Sequence, residues 1–211
     1  MLENALNIIQ MIVACGCMIT AVYKAVTYRS RTWMLYGMFA GACFLGDLWW
    51  MLYSFFYGLD APDSFIPYIS WDAAVLFLLL ILFRFDAEAT EDTSKKYLSM
   101  AEVAFFVLVM CLIYMQYGDY VSNLITAVLM GTLIWNARIR LIRIPKDDAE
   151  DRRKRNICKA VLLYSFVEYA LWTASCFDYD SPIRYSYYVF DFLLAVSIAM
   201  FVPSLGKAAD R

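Results

Sequence analysis

Apolar stretches of roughly span length, separated by short polar connections, run from one end of this chain to the other. A hydrocarbon core about 30 Å thick takes roughly 20 apolar residues of helix. Within lipid a helix satisfies its own backbone N–H and C=O groups, so these stretches are expected to be helical. The pattern predicts seven membrane-spanning helices at about 5–26, 33–57, 66–85, 97–117, 121–141, 157–177 and 183–202. Turn residues and charges separate them. The second and third are divided by Gly58 to Asp63, the third and fourth by Asp86 to Lys96, the fifth and sixth by Pro145 to Arg155, and the sixth and seventh by Asp178 to Pro182. Only Gly118-Asp119 separates the fourth from the fifth, which predicts a tight hairpin there.

Composition agrees with that division. Hydrophobic residues make up 63% of the 211, with a mean hydropathy of +0.57, against about 45–50% in a soluble domain. A single all-α membrane domain over 1–211 is expected, with no leader peptide, because the first apolar stretch is long and lacks a small-residue cleavage site. Charge placement gives the orientation. All of the 18 Lys and Arg residues except Arg184 fall in the odd-numbered connections, at their flanks or in the C-terminal tail. The positive-inside rule then predicts an N-terminus outside, a C-terminus in the cytoplasm and residence in the cell membrane.

The chain has no histidine. This removes His-ligated haem, most zinc and copper sites, and histidine acid–base chemistry. No cofactor, metal site or nucleic-acid partner is expected, and no enzymatic activity. Cys15, Cys17, Cys43, Cys111, Cys158 and Cys176 are expected to pack rather than pair, since no two of them sit in outer loops. Residues 144–156 mix Lys, Arg, Asp and Glu. They suit a solvated helical extension that anchors the topology, or a docking surface for a cytoplasmic signalling partner or anionic lipid.

The polar residues inside the spans carry two further patterns. The third helix contains Tyr68-Ile69-Ser70-Trp71-Asp72 and the seventh Tyr187-Tyr188-Val189-Phe190-Asp191, both Tyr-x-x-aromatic-Asp. The second has Asp47 with Trp50 a turn later, and the sixth Glu168 with Trp172. The first and fifth begin alike, Leu6-Asn7-Ile8-Ile9 against Ser122-Asn123-Leu124-Ile125. Helices one to three therefore resemble helices five to seven, a parallel three-plus-one-plus-three repeat. Such repeats place binding sites at their interface.

Asp47, Asp72, Glu168 and Asp191 all lie in the outer half of the bundle in this orientation, with no Lys or Arg beside them. A charged Asp at the bilayer centre costs roughly 2.5–3.5 kcal/mol. Protonation, hydrogen bonds to Tyr and Asn, a water-filled pocket or a bound cation would each offset that cost. Tyr164, Glu168, Trp172 and Ser175 share one face of the sixth helix, Tyr187 and Tyr188 lie a turn from Asp191, and Asn7, Gln10 and Asn123 sit at similar depth. The candidate ligand-binding residues are Asp47, Trp50, Tyr68, Asp72, Tyr164, Glu168, Trp172, Tyr187 and Asp191. Acids walled by Tyr and Trp suit an amine or other cation. The competing reading is that the acids hydrogen-bond neighbouring helices and fix the bundle. Tyr57, Tyr114, Tyr117, Tyr120 and Tyr179 are expected to form an interfacial belt, Gly37, Gly41 and Gly46 to allow close helix packing, and Glu102 to be an ordinary anchor among basic residues.

The stretch Gly46-Asp47-Leu48-Trp49-Trp50-Met51-Leu52-Tyr53, followed by Pro67-Tyr68-Ile69-Ser70-Trp71-Asp72, resembles the second and third helices of a bacterial seven-helix membrane sensory domain family. In that family such domains precede diguanylate cyclase or histidine kinase modules. The resemblance covers about 40 residues and implies a sensor or receptor-like role for a small solute or a proton. With no output module expected here, a signal would pass to a separate protein. The alternative is a small-solute transporter of the three-plus-one-plus-three type, although no helix holds the Pro-Gln pair of those families. A retinal protein would need a lysine midway along the seventh helix, and there is none.

Overall fold

The computed structural model describes residues 2–57, 65–84, 93–117, 120–145, 148–177 and 181–206, so most of the connections named above, and the tail, lie outside the described residues. What is described is helical, with no strand. The helices are α1 (Leu2–Tyr28), α2 (Arg31–Tyr57), α3 (Phe65–Phe83), α4 (Thr93–Tyr114), α5 (Tyr120–Arg143), α6 (Ala149–Ser175) and α7 (Tyr185–Leu205). Six of them contain a stretch long and apolar enough to cross a membrane, the architecture of a multi-pass membrane protein. The apolar part of α4 among the described residues, Ser99–Tyr114, is shorter.

Local sequence sets the ends. Arg29 takes a left-handed conformation (φ 51°) and lets the N–H of Ser30 reach back to the Ala25 carbonyl at 3.1 Å. The Ser30 hydroxyl then accepts from the N–H of Trp33 at 3.2 Å, starting α2. Asp148 caps α6, accepting from the N–H of Asp151 at 2.6 Å. Glu150 and Asp151 in the first turn favour the positive end of the helix dipole. The charged stretch from Ala149 to Asn156 is thus the helical extension expected from the sequence, and it makes α6 longer than the span read from hydropathy. Ser181 accepts from the N–H of Ile183, and a 3₁₀ turn over Pro182–Arg184 leads into α7.

The outer surface is apolar: Ile12, Val26, Phe55, Phe105 and Phe166 are all more than half exposed. Gln10, Asp47, Asn123 and Asp191 are buried instead. An apolar surface of this extent is what a lipid environment calls for and water does not.

Each of α1, α2, α3, α5, α6 and α7 packs on the next in that order, and α7 returns to α1. α4 stands outside this ring against α5, with Phe106 and Tyr114 set against Tyr169 of α6. Tyr36, Phe39, Tyr164 and Phe201 form a continuous ring stack joining α2, α6 and α7. The Tyr36 hydroxyl donates to the Ile198 carbonyl at 2.8 Å.

Glycines set the approach of α2. Gly37 lies against Ala21, Gly41 against Met18, and Gly46 against Trp71 of α3. A methyl group at position 46 would stand 2.7 Å from the Trp71 Nε1. Gly46→Ala is therefore expected to displace a bulky ring and lower stability by about 1–3 kcal/mol, the usual range for overpacking. Thermal unfolding in detergent, with Gly16→Ala in open space as control, checks this. Equal effects from the two would mean that α2 and α3 are not held so closely at this point.

Candidate functional site

A cavity of about 360 Å³ lies among α1, α2, α3, α6, α7 and the end of α4. It sits where α1, α3 and α7 begin and α2, α4 and α6 end, the end of the bundle that carries Arg184 and no other described Lys or Arg. It reaches the surface near Tyr117 and Ser175, which are both exposed. Among the described residues, no Lys or Arg lines it.

The candidate residues converge here with one exception. Asp47, Trp50, Tyr68, Tyr164, Glu168, Trp172, Tyr187 and Asp191 all line the cavity. Asn7, Gln10 and Ser175 join them. Asp72 does not. It accepts a hydrogen bond from the Thr126 hydroxyl at 2.8 Å, on the seam between α3 and α5, so it joins helices as the competing reading of the acids had it. Thr126→Val is expected to leave that half-buried carboxyl short of a partner and cost about 1–3 kcal/mol. Chemical denaturation in detergent would check it, and an unchanged midpoint would mean the contact is dispensable.

Asp47 is 9% exposed and Asp191 2%. Asp47 lies within hydrogen-bonding reach of Gln10 and Trp71, yet its Oδ2 has no partner among the described residues. Glu168 is within reach of Trp172, and its Oε2 has no partner either. The same holds for the Gln10 Oε1. Leaving a buried polar atom unpaired costs about 1–3 kcal/mol, more if charged. Each of these oxygens belongs to a residue that faces the cavity.

Aromatic rings form much of the wall. Tyr68, Trp71 and Trp172 contact one another with centroids 5.7 to 6.4 Å apart. Tyr114 packs on Trp172 at 5.9 Å. Cys43, Leu194 and Ile198 line the cavity alongside Tyr164.

Several lining residues were not expected from the sequence. Tyr114 was assigned to an interfacial belt, but it is 6% exposed. Its hydroxyl donates to the Tyr169 carbonyl at 2.8 Å and lies 2.8 Å from the Thr173 hydroxyl. Tyr117 also lines the cavity. Cys43 and Cys176, read as packing residues, line it too, and all six cysteines are unpaired thiols. Trp71, not Asp72, is the residue that α3 presents beside Tyr68. The two are three apart on the helix, a spacing that already puts them on one face. Asn123 is used elsewhere: its amide donates to the Tyr114 carbonyl at 3.0 Å and ties α5 to the end of α4. At the opposite end of the bundle Glu102 pairs with Arg138, both substantially exposed, a contact worth at most about 1 kcal/mol.

Among the described residues no group of three or more Cys, Asp or Glu side chains is arranged to hold a metal ion. Comparison with protein-family models, with curated proteins and with solved structures gives no match.

Proposed function

We propose that the chain is a sensor or receptor-like membrane protein that takes up a small solute or a proton in its acidic, aromatic-walled cavity. The observation that carries this is the convergence of Asp47, Glu168 and Asp191, from three helices, on one cavity of about 360 Å³ with no basic residue in its wall among the described residues. Its size is at the lower end of the roughly 300–1,000 Å³ typical of small-molecule sites. The resemblance of the Gly46–Asp72 region to the bacterial sensory domains supports the sensor reading. In this reading all seven helices span the cell membrane, and the asymmetry of Lys and Arg supports an N-terminus outside, so that the cavity faces out. The charged residues 144–156, which run into the exposed first turns of α6, are the proposed docking point for a cytoplasmic signalling partner.

A transporter is the second reading, and the order of helices supports it. Exchanging α1, α2 and α3 with α5, α6 and α7 maps each neighbouring pair of the ring onto another neighbouring pair. That is the relation a three-plus-one-plus-three repeat requires, and the cavity draws its acids from both units, as repeat transporters do at their binding sites.

Thermal unfolding of the purified protein against amines, sugars, nucleosides and amino acids tests the shared premise, with Asp47→Asn and Glu168→Gln alongside. A solute that stabilises the wild type and neither variant supports the cavity as a binding site, and its flux in reconstituted vesicles then separates transporter from sensor. No stabilising solute, with both variants less stable than wild type, would mean that these acids only hold helices together.

A further inference from the structure

Resting on the reading of the cavity as a solute site, we infer that its ligand is a small organic cation with two ammonium groups on an aliphatic chain. The first argument is the sense of the unpaired atoms. Among the described residues, the buried side-chain atoms that lack a partner and belong to the cavity wall include Gln10 Oε1, Asp47 Oδ2 and Glu168 Oε2. All are acceptors. The nitrogen donors without a partner, in Trp33, Trp135, Arg140 and Arg153, belong to residues outside the wall. Gln10 is 7% exposed and Asp47 9%, so neither is reached by bulk water over most of its surface. A cavity with this imbalance calls for a ligand that donates and has little need to accept. An ammonium group brings three N–H donors and no acceptor. A sugar or nucleoside brings both kinds, and an amino acid brings a carboxylate that would face three others.

Charge sets the number of ammonium groups. Asp47 and Glu168 stand on α2 and α6, with Asp191 beside them on α7, and among the described residues no Lys or Arg lines the wall. One positive charge would neutralise one carboxylate and leave the others facing each other in a medium where like charges repel strongly. Two positive charges on one molecule meet acids on two walls together. The third argument is the apolar part of the wall. Tyr68, Trp71 and Trp172 form a cluster with near-perpendicular faces, Tyr68 to Trp71 at 87° and Trp71 to Trp172 at 83°. Such faces attract cations and pack against methylene groups. A divalent metal ion would match the charge but has no methylene chain to pack against these rings, and no metal-holding group is found among the described residues.

The test is thermal unfolding and calorimetric titration of the full chain in detergent at low ionic strength, with 1,4-diaminobutane, 1,5-diaminopentane, butylamine, tetramethylammonium and magnesium chloride as probes. Both diamines are expected to raise the unfolding temperature, and to bind at least about tenfold more tightly than butylamine, the factor that 1.4 kcal/mol represents. Asp47→Asn and Glu168→Gln should each weaken the diamines by about tenfold or more and bring them close to butylamine. Equal binding of butylamine or tetramethylammonium and the diamines would overturn the two-charge inference and leave a single-cation site. Stabilisation by a sugar, nucleoside or amino acid with none by the amines would overturn the inference while leaving the solute-binding reading intact. No stabilisation by any of these compounds would remove both.

Discussion

Phe39→Ala is expected to destabilise the folded protein by about 3–5 kcal/mol, the range found when a buried aromatic ring is removed from a core. Phe39 is 0% exposed. Its ring touches Tyr36 on its own helix, Tyr164 on α6 and Phe201 on α7. In water most of the loss would be hydrophobic transfer. In lipid that term is small, because the surroundings are as apolar as the core, and helix association rests on van der Waals packing. Each carbon pair contributes only about 0.1–0.2 kcal/mol, but a ring held by three others has many, and no lipid chain can enter to replace them. Phe166→Ala is the matched control, since Phe166 faces outward at 63% exposure and lipid replaces its contacts. Denaturant titration in mixed micelles should show a large loss for Phe39→Ala, a smaller one for Phe39→Leu and little for Phe166→Ala. Similar losses at 39 and 166 would mean that the stack is not the centre of the bundle. The position also bears on the cavity, because Phe39 supports Tyr164, and removing it would extend the void into the cytoplasmic half in the proposed orientation.

The helices were legible because lipid imposes a length and an apolar character that hydropathy reads directly. Their ends were less so, for a reason visible at α6. Hydropathy marks where a helix enters lipid, at about Ile157, whereas the helix itself begins at Ala149 in water. A helical extension over 144–156 was expected from its mixed charges; Asp148, Glu150 and Asp151, a capping residue followed by a first turn of acids, mark where within it the helix starts. α4 is the reverse case. The apolar stretch Ser99–Tyr114 is shorter than the other spans, and Met115 to Tyr117 turn away, with the Tyr117 N–H bonded to the Tyr114 carbonyl.

Most of the candidate site was legible because a carboxyl in an apolar helix has few tolerable surroundings, so Asp47, Glu168 and Asp191 could be grouped before their neighbours were known. What sequence could not supply was rotation about the helix axis. Asp72 and Asp191 occupy matching places in similar motifs. Asp191 faces the cavity with Tyr187, Leu194 and Ile198, spaced i, i+4, i+7 and i+11 on one face of α7. On α3 the cavity instead receives Tyr68 and Trp71, while Asp72 turns to Thr126. Gly46 is part of the cause, since its missing side chain leaves room for the Trp71 indole against α2. Tyr114 was misread for a related reason. An aromatic residue at a helix end suits an interfacial belt and a cavity wall equally, and only the packing of α4 on α5 and α6 decides between them.

A lysine placed at the floor of the cavity should be tolerated better than one placed on the lipid face next to it. Leu194 and Leu193 are adjacent on α7 and so nearly equal in depth. Leu194 is 4% exposed and lines the cavity; Leu193 is 38% exposed and faces outward. On the lipid face a lysine near the bilayer centre costs roughly 2.5–3.5 kcal/mol, less whatever it recovers by extending to the interface. Leu193→Lys should show a loss of that order. At position 194 the ammonium would stand about one turn from Asp191, in the cavity shared with Asp47 and Glu168, where Asp47 Oδ2 and Glu168 Oε2 have no other donor among the described residues. Coulomb attraction at close range in a poorly solvated site exceeds that in water several-fold, so Leu194→Lys should be the more stable of the two despite replacing a buried side chain. It should also abolish stabilisation by added amines, because the tethered charge occupies their place. Unfolding of both variants in the same micelles, with and without 1,4-diaminobutane, reads the two effects together. A Leu194→Lys protein less stable than Leu193→Lys, and still stabilised by the diamine, would mean that the cavity does not favour positive charge at its floor and that its acids are neutral members of a hydrogen-bonded network.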